Sequence, residues 1–308
     1  MAGGPLVHLI DGPVWVFRAY YALPEMKAPD GTPTNAAYGY TNTLLKYLTD
    51  HEPTHLAVAF DYAMESFRNE EFPDYKAQRG EVPDDLEPQW DLCTEATRAL
   101  GIPALEVEGY EADDVIATCA TQLVRRGASA RVVTTDKDLA QLVREDGRVT
   151  LWDMAKEIGC DADGVRERFG VDPAQIPDYL GLMGDSVDNL PGVPGVGPKT
   201  AAAALRAFRR IEEVPADSDR WAGVAVRGPK RVAGLIDAHR EQALRTRDLA
   251  TLVRDVPGIR ALLREMNWVG ADRNEVETLF EDLGWGRIAT RVPRWAAGKR
   301  HPYPWRLP

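Results

Sequence analysis

Residues 6–10 form a short, mostly apolar run that stops at Asp11, and residues 55–60 form a second run that stops at Asp61. Runs of this length, rich in branched residues and closed by a polar residue, predict buried strands. Between them Ala37, Tyr40, Leu44 and Leu48 recur at spacings of three and four, which puts them on one face of a helix over 34–50. Strand, helix and strand make a βαβ unit. A second helix is predicted over 89–100, closed by Gly101, followed by a weak strand at 104–107. Residues 111–126 predict a helix with Val115, Ile116, Cys119, Ala120 and Leu123 on its apolar side, Arg125 and Arg126 in its last turn and Gly127 as its stop. A further strand at 130–135 ends at Asp136.

Alternation of this kind implies an α/β fold with a mostly parallel sheet flanked by helices, whose ligands gather at the carboxyl ends of the strands. From about Gly181 the chain changes to Gly- and Pro-punctuated turns and helical segments without a clear strand. The expected division is a core over 1–181, a helical subdomain over 182–288 and a loose tail over 289–308. That tail carries Arg291, Arg294, Lys299, Arg300 and Arg306 with Trp295, Tyr303 and Trp305, and no acid after residue 291. No internal repeat or low-complexity tract interrupts the pattern.

A hydrophobic content of 44% in 308 residues is that of a globular core. No apolar run reaches the ~18 residues of a membrane span, and the first residues lack a secretory signal, so a soluble cytoplasmic protein is expected. Cys93, Cys119 and Cys160 are too scattered for a disulfide framework or a structural zinc site and are expected as free thiols. His8, His51, His55, His239 and His301 are equally scattered, and no GxSxG or HExxH pattern occurs, which removes the parts of a serine hydrolase or a zinc protease.

Acids stand at the predicted strand ends and helix starts: Asp11, Asp61, Glu111, Asp113, Asp114, Asp136, Asp138, Asp185 and Asp188. Each could simply face water, and an acid in a first helical turn stabilises the macrodipole by ~0.3–1 kcal/mol. The coincidence of so many on one rim has a different consequence. Like charges that crowd either become neutral or enclose hard cations, and an all-oxygen set suits Mg²⁺ or Mn²⁺. Metal accounts for the whole set with a single cause. It also answers an objection raised by the net charge of −11, which is unfavourable for binding phosphates. With these acids set aside, the rest of the 48 carboxylates nearly balance the 37 Lys and Arg.

Two segments could face nucleic acid. Gly192, Gly195 and Gly197 with Lys199 and Thr200 nearly spell a phosphate-binding loop, but Pro198 intrudes and no strand precedes it, which excludes a nucleotide triphosphatase. The stretch leads into a helix bearing Arg206, Arg209 and Arg210, with no acid between 191 and 211, and resembles a helix-hairpin-helix that grips a duplex backbone. Residues 62–90 mix Phe67, Arg68, Phe72, Tyr75, Lys76 and Arg79 with many acids, directly after Asp61. There cations could hold a phosphate and aromatics could stack on bases. Asp161, Asp163 and Gly164 read as a helix cap, since the glycine comes too early for a calcium loop.

Together the motifs IDG at Asp11, FD at Asp61, SFR and YKAQR over 66–79, GYEADD over 109–114, TTDKDL over 134–139 and GDSVDNLPGVPGVGPKT over 184–200 resemble the bacterial flap endonuclease and 5′-3′ exonuclease family. That family includes the N-terminal nuclease domain of DNA polymerase I, and this chain looks like a stand-alone relative. The resemblance implies a PIN-like, flap-endonuclease-like fold with a C-terminal helix-hairpin-helix subdomain. It implies a structure-specific 5′ nuclease of DNA replication and repair that hydrolyses phosphodiester bonds by a two- or three-metal mechanism. In the same way it assigns Asp11, Asp61, Glu111 and Asp113 to a first metal, Asp113, Asp136, Asp138 and Asp185 to a second, and Asp114 and Asp188 to contacts through water. Arg68 and Lys76 would steer the scissile phosphate, Tyr75 and Phe17 would lie near the unpaired nucleotide, and Arg79 would join the DNA contacts. Phe17 replaces a commoner tyrosine. Residues 62–90 would form an arch, the hairpin would bind K⁺, and DNA with a 5′ flap or 5′ end would be the partner of a monomer. A replication or repair protein could dock on the tail. A catalytically weak nucleic-acid-binding protein of the same fold, and a 5′ nuclease acting mainly on RNA, are the alternatives.

Overall fold

The computed structural model describes residues 4–80 and 82–298. Its strands and helices alternate through the first part of the chain: β1 (Leu6–Asp11), α1 (Gly12–Ala22), α2 (Asn35–His51), β2 (His55–Ala59), α3 (Phe67–Glu71), α4 (Glu87–Ala99), β3 (Ala104–Leu105), α5 (Ala112–Arg125) and β4 (Ser129–Val133). There follow β5 (Val149–Asp153), β6 (Ile158–Cys160), α6 (Ala162–Phe169), α7 (Ile176–Met183), α8 (Pro198–Phe208), α9 (Pro229–Ala238) and α10 (Arg240–Ala250). Three short helices close the described chain: α11 (Leu263–Met266), α12 (Arg273–Asp282) and α13 (Gly286–Ala289).

Packing divides these elements into two compact units, each discontinuous in sequence. One contains residues 4–64, 82–135 and 254–298, the other residues 65–80 and 136–253. The division therefore does not follow the sequence boundaries at 181 and 288, and it splits the expected arch, leaving 65–80 in the second unit. The reason is visible in the first unit. Gln122 and Arg126 on α5 bond the main chain of Ile259 and Ala261, Gln122 Nε2 donating to the Ile259 carbonyl at 2.9 Å. The Trp268 indole donates to the Leu100 carbonyl at 2.9 Å. Residues beyond 254 so return to the body built by the start of the chain, and hydrophobic periodicity carries no record of such a return.

In the first unit β1 lies between β2 and β4, with β3 outside β2, and all these pairings are parallel. Asp11 is in register with Ala59, and Ile10 with Val133, so the three strands end at one level. Parallel strands buried on both faces need helices on each side. Tyr40, Leu44, Tyr47 and Leu48 of α2 and Val115, Ile116, Cys119 and Leu123 of α5 are buried. The helix α1 was not expected. Pro13 at its first turn suits a helix start, but Val14, Trp15, Val16 and Phe17 make an unbroken apolar run that hides the period.

The second unit is mainly helical, with α7 packed along α10 and against α8. It also holds an antiparallel hairpin, Leu151 opposite Cys160 and Asp153 opposite Ile158, that was not expected. Its strands are too short for alternation to stand out from loop composition. Asp161 caps α6 by accepting the Gly164 N–H at 2.9 Å, which is the role expected of it. All three cysteines are free thiols. Among the described residues no helix is long and apolar enough to cross a membrane.

The first part of the expected tail is not loose. Ala271 exchanges main-chain hydrogen bonds with Arg294 and Ala296, Val292 is buried, and the guanidinium of Arg273 stacks 4.2 Å from the Trp295 ring. Basic and aromatic residues here stack on one another and need not stay in solvent. Residues 299–308 of that tail, with Lys299, Arg300, Tyr303, Trp305 and Arg306, lie outside the described residues.

Candidate metal centre

The acids fall into two groups, one in each unit. In the first unit Asp11 is the last residue of β1 and is 3% exposed, and one of its oxygens accepts the Thr134 hydroxyl at 2.6 Å. Asp61 follows β2, and its Oδ1 accepts the N–H of Ala112, the first residue of α5, at 2.7 Å. The strand end and the helix start are thus tied by a charge-assisted bond to one of the amides that a helix leaves unpaired. The Trp90 indole donates to the Asp61 carbonyl and fixes the backbone there. Glu111 and Asp114 form a reciprocal capping box at the start of α5, with Asp114 fully buried and Asp113 half-buried. Asp114 is therefore a helix-capping acid first, whatever it does through water.

The second group is tighter. Asp138, Asp185 and Asp188 are all buried, and each offers a carboxylate oxygen within 4.8 Å of the others. Two local turns set it up. Asp136 Oδ1 accepts the Asp138 N–H at 2.8 Å, and Asp185 Oδ1 accepts the Val187 N–H at 2.9 Å. The main chains of Asp185 and Leu190 exchange hydrogen bonds, which closes the loop on itself. This closure needs glycine on both sides: a Cβ on Gly184 would come 2.5 Å from the Gly192 nitrogen, and one on Gly192 would come 2.3 Å from the Met183 carbonyl carbon.

The electrostatics of the trio fit a cation. Burial, with Asp136 close by, pushes the Asp138 carboxyl well above the usual range, and burial raises Asp188 against the pull of Lys76 and Arg79. Asp138 Oδ1 and Asp185 Oδ2 are buried and accept no hydrogen bond. Two buried acceptors aimed at one place are costly unless something positive lies between them. In this structure that something is Lys137, whose ammonium pairs with Asp185 Oδ2 at 2.5 Å and lies 3.7 Å from Asp138 Oδ1. Burial works against its charge, but Asp138, Asp185 and Asp136 outweigh it and hold its pKa above the ordinary lysine value. An all-carboxylate set with unsatisfied oxygens around a cation is the donor chemistry of a hard divalent ion. Sequence reading passed over Lys137, although its place between two acids in TTDKDL was the available signal.

The cations and aromatics of residues 65–80 are arranged differently from expectation. Ser66 caps α3, accepting the Arg68 N–H while Asn69 accepts the Ser66 N–H. Arg68 is 1% exposed, and its guanidinium donates to the carbonyls of Leu249 and Thr251 at the end of α10, at 2.8 and 3.3 Å. It closes a helix C-terminus, and does not present itself as a phosphate ligand. Tyr75 is 4% exposed and donates to Asp188 Oδ2 at 3.2 Å, and Arg79 pairs with Asp188 Oδ1 at 2.7 Å. The ring expected to stack on a base is thus buried against a candidate ligand. Lys76 donates its main-chain N–H to the Asp188 carbonyl, adopts φ +56°, and holds its ammonium 4.9 Å from the Tyr75 ring. Phe17, in the first unit, packs edge-on against Trp90 with ring centres 5.7 Å apart.

The expected hairpin lies between α7 and α8. Val193 and Val196 are buried and anchor it, while Gly195, Gly197 and Lys199 are exposed, with Gly192 and Thr200 half-buried. The Val193 N–H donates to the Leu182 carbonyl at 2.9 Å and the Val196 N–H to the Val193 carbonyl at 3.0 Å. This leaves the start of α8, headed by Pro198, open to an anion. Arg231 of α9 reaches within 3.0 Å of where a Gly195 Cβ would stand, a neighbour that sequence reading did not place there.

Residues 6–170 match the family model of the 5′-3′ exonuclease N-terminal resolvase-like domain, and residues 171–274 that of the 5′-3′ exonuclease C-terminal SAM fold. The DNA polymerase I of Bacillus caldotenax is 42% identical over 299 residues, covering 96% of this chain and 33% of the polymerase. That of Pseudomonas aeruginosa is 43% identical over 257 residues, covering 83% of this chain and 28% of the polymerase. The chain thus spans about a third of the length of these relatives. Among solved structures, T5 5′-exonuclease with bound zinc aligns at a TM-score of 0.64 and 20% identity, over 92% of this chain and 99% of that one. The catalytic core of Rad2 in complex with DNA substrate aligns at 0.60 and 15% identity, over 94% of this chain and 90% of that one. At such identities the structural likeness shows a shared fold.

Proposed function

Because this chain belongs to the 5′-3′ exonuclease family, we propose that it hydrolyses phosphodiester bonds of DNA at 5′ ends and 5′ flaps, as a structure-specific nuclease of replication and repair. The observation that carries this reading is the buried trio Asp138, Asp185 and Asp188, in which one oxygen of Asp138 and one of Asp185 face the Lys137 ammonium. Each group of acids is taken to hold divalent metal within its own unit: Asp138, Asp185 and Asp188 with Asp136 in the second, and Asp11, Asp61, Glu111 and Asp113 in the first, where Asp114 holds the helix cap. These carboxylates would hold Mg²⁺ or Mn²⁺, two or three per chain, which would supply acidification of water and neutralisation of charge for phosphodiester hydrolysis. The carboxylates hold position through their turns and caps, so little reorganisation accompanies the reaction. Lys76 supplies a cation for the scissile phosphate, Arg79 joins the DNA contacts, and Phe17 offers an aromatic surface for an unpaired base, whereas the buried Tyr75 and Arg68 hold the fold around them.

The hairpin glycines Gly192, Gly195 and Gly197, with Lys199 and Thr200, hold the duplex backbone, and K⁺ binds to the hairpin carbonyls. Contacts of this kind carry no sequence information, so the substrate is recognised by shape. The protein acts as a cytoplasmic monomer, and residues 289–308 are the surface for a replication or repair partner. The test is cleavage of a labelled DNA 5′ flap with Mn²⁺ by the native chain and by Asp185→Ala, with a matched RNA flap in parallel. The variant is expected to be slower by on the order of 10²–10³ or more. Equal cutting by both proteins overturns the proposal, and faster cutting of the RNA flap replaces DNA with RNA as the substrate.

A further inference from the structure

Lys137 stands inside the acidic cluster that its neighbours in sequence help to build. Its ammonium lies 2.5 Å from Asp185 and 3.7 Å from Asp138, and its side chain is 25% exposed. The oxygens it faces are buried, and the ammonium is the cation that the structure sets against both. Buried carboxylates with only each other for company repel strongly, and an ammonium between them offsets that repulsion. A lysine does this as a compact point charge on a flexible four-carbon stem, so the charge can be withdrawn without disturbing the backbone. A cavity of about 470 Å³, lined by Lys137 with Met183, Asp185, Ser186 and Val187, gives the stem room to move.

We propose that Lys137 is the resident counter-ion of the metal site: without metal its ammonium fills the place between Asp138 and Asp185, and a divalent ion binds by displacing it. The inference rests on the metal reading above and adds a residue that sets which ions load. A monovalent ion carries no more charge than the ammonium it would replace and lacks its tether, so Na⁺ and K⁺ do not compete for this place. A divalent ion doubles the attraction to each carboxylate and does.

The test is calorimetric titration of Mn²⁺ into the whole metal-free chain, native and as Lys137→Met, Lys137→Gln and Lys137→Arg, with melting temperatures read with and without metal. Removing the competitor while keeping the acids is expected to tighten Mn²⁺ binding of Lys137→Met by about tenfold and to enlarge its gain in melting temperature. Lys137→Arg is expected to stay close to native. Should Lys137→Met fail to fold, as circular dichroism without metal will tell, Lys137→Gln carries the comparison. Unchanged or weaker Mn²⁺ binding by the neutral variants, with the native chain binding metal, overturns the inference and leaves the metal reading standing. Absence of Mn²⁺ binding to every one of these proteins overturns both.

Discussion

Arg68 and Lys76 are indistinguishable in sequence as cations of one polar segment, yet their surroundings separate them. The Arg68 guanidinium is enclosed and bonded to the carbonyls of Leu249 and Thr251, while Lys76 is half-buried beside Asp188 and the Tyr75 ring. Removing a buried donor leaves its acceptors unsatisfied and opens a cavity. Arg68→Ala is therefore expected to lower unfolding stability by about 2–4 kcal/mol in urea melts. Native stability together with slow flap cleavage would return Arg68 to phosphate steering. Asp138 makes the same point among the acids. Its type and spacing were legible in TTDKDL, but burial first, and then the nearness of Asp136, Asp188 and Asp185, raises its pKa, and neither is written in the motif.

At the scale of elements, local chemistry was legible wherever a residue acts on its own neighbours. Asp161 capping α6, the stop at Gly127 after α5 and the hairpin after α7 all appear where the motifs put them. The close approach across the 184–192 loop was not legible, because it depends on two backbones meeting. It leads to a contrast within one motif. A Cβ on Gly192 would meet the Met183 backbone at 2.3 Å, whereas one on Gly197 meets nothing within 4 Å. Backbone cannot yield as a side-chain tip does, so Gly192→Ala is expected to cost about 2 kcal/mol or more and to loosen the Asp185 loop. Gly197→Ala, at φ −96°, is expected to leave stability within about 0.5 kcal/mol. Thermal melts of the two variants check this, and equal melting temperatures would remove the packing argument.

At the scale of the molecule, a net charge of −11 and an affinity for DNA are compatible only if the two signs are segregated. They are: the acids gather at the ends of β1 and β2, the start of α5 and the trio of the second unit, while residues 191–211 carry only basic charge. Lys199 is exposed at the head of α8. If it neutralises one phosphate, Lys199→Ala will weaken duplex binding at every sequence alike and reduce the slope of log affinity against log salt by about 0.9. An unchanged slope in fluorescence titrations removes that contact. The chain path was the least legible feature at this scale. Residues 254–298 return to the first unit through bonds of Gln122, Arg126 and Leu100, partners more than a hundred positions away.

The residue order alone determined the alternation of strands and helices, the strand-end positions of Asp11 and Asp61, the hairpin and the family likeness. Each of these is written in neighbouring residues, through periodicity, capping and turn chemistry. Enclosure and partnership across long separations belonged to the tertiary structure. It set Lys137 between Asp138 and Asp185, shut Arg68 under the end of α10, turned Tyr75 and Arg79 onto Asp188, and stacked Arg273 on Trp295. The physical reason is that charge and shape act through distance in space, and a side chain's dielectric surroundings come from whichever segments close over it.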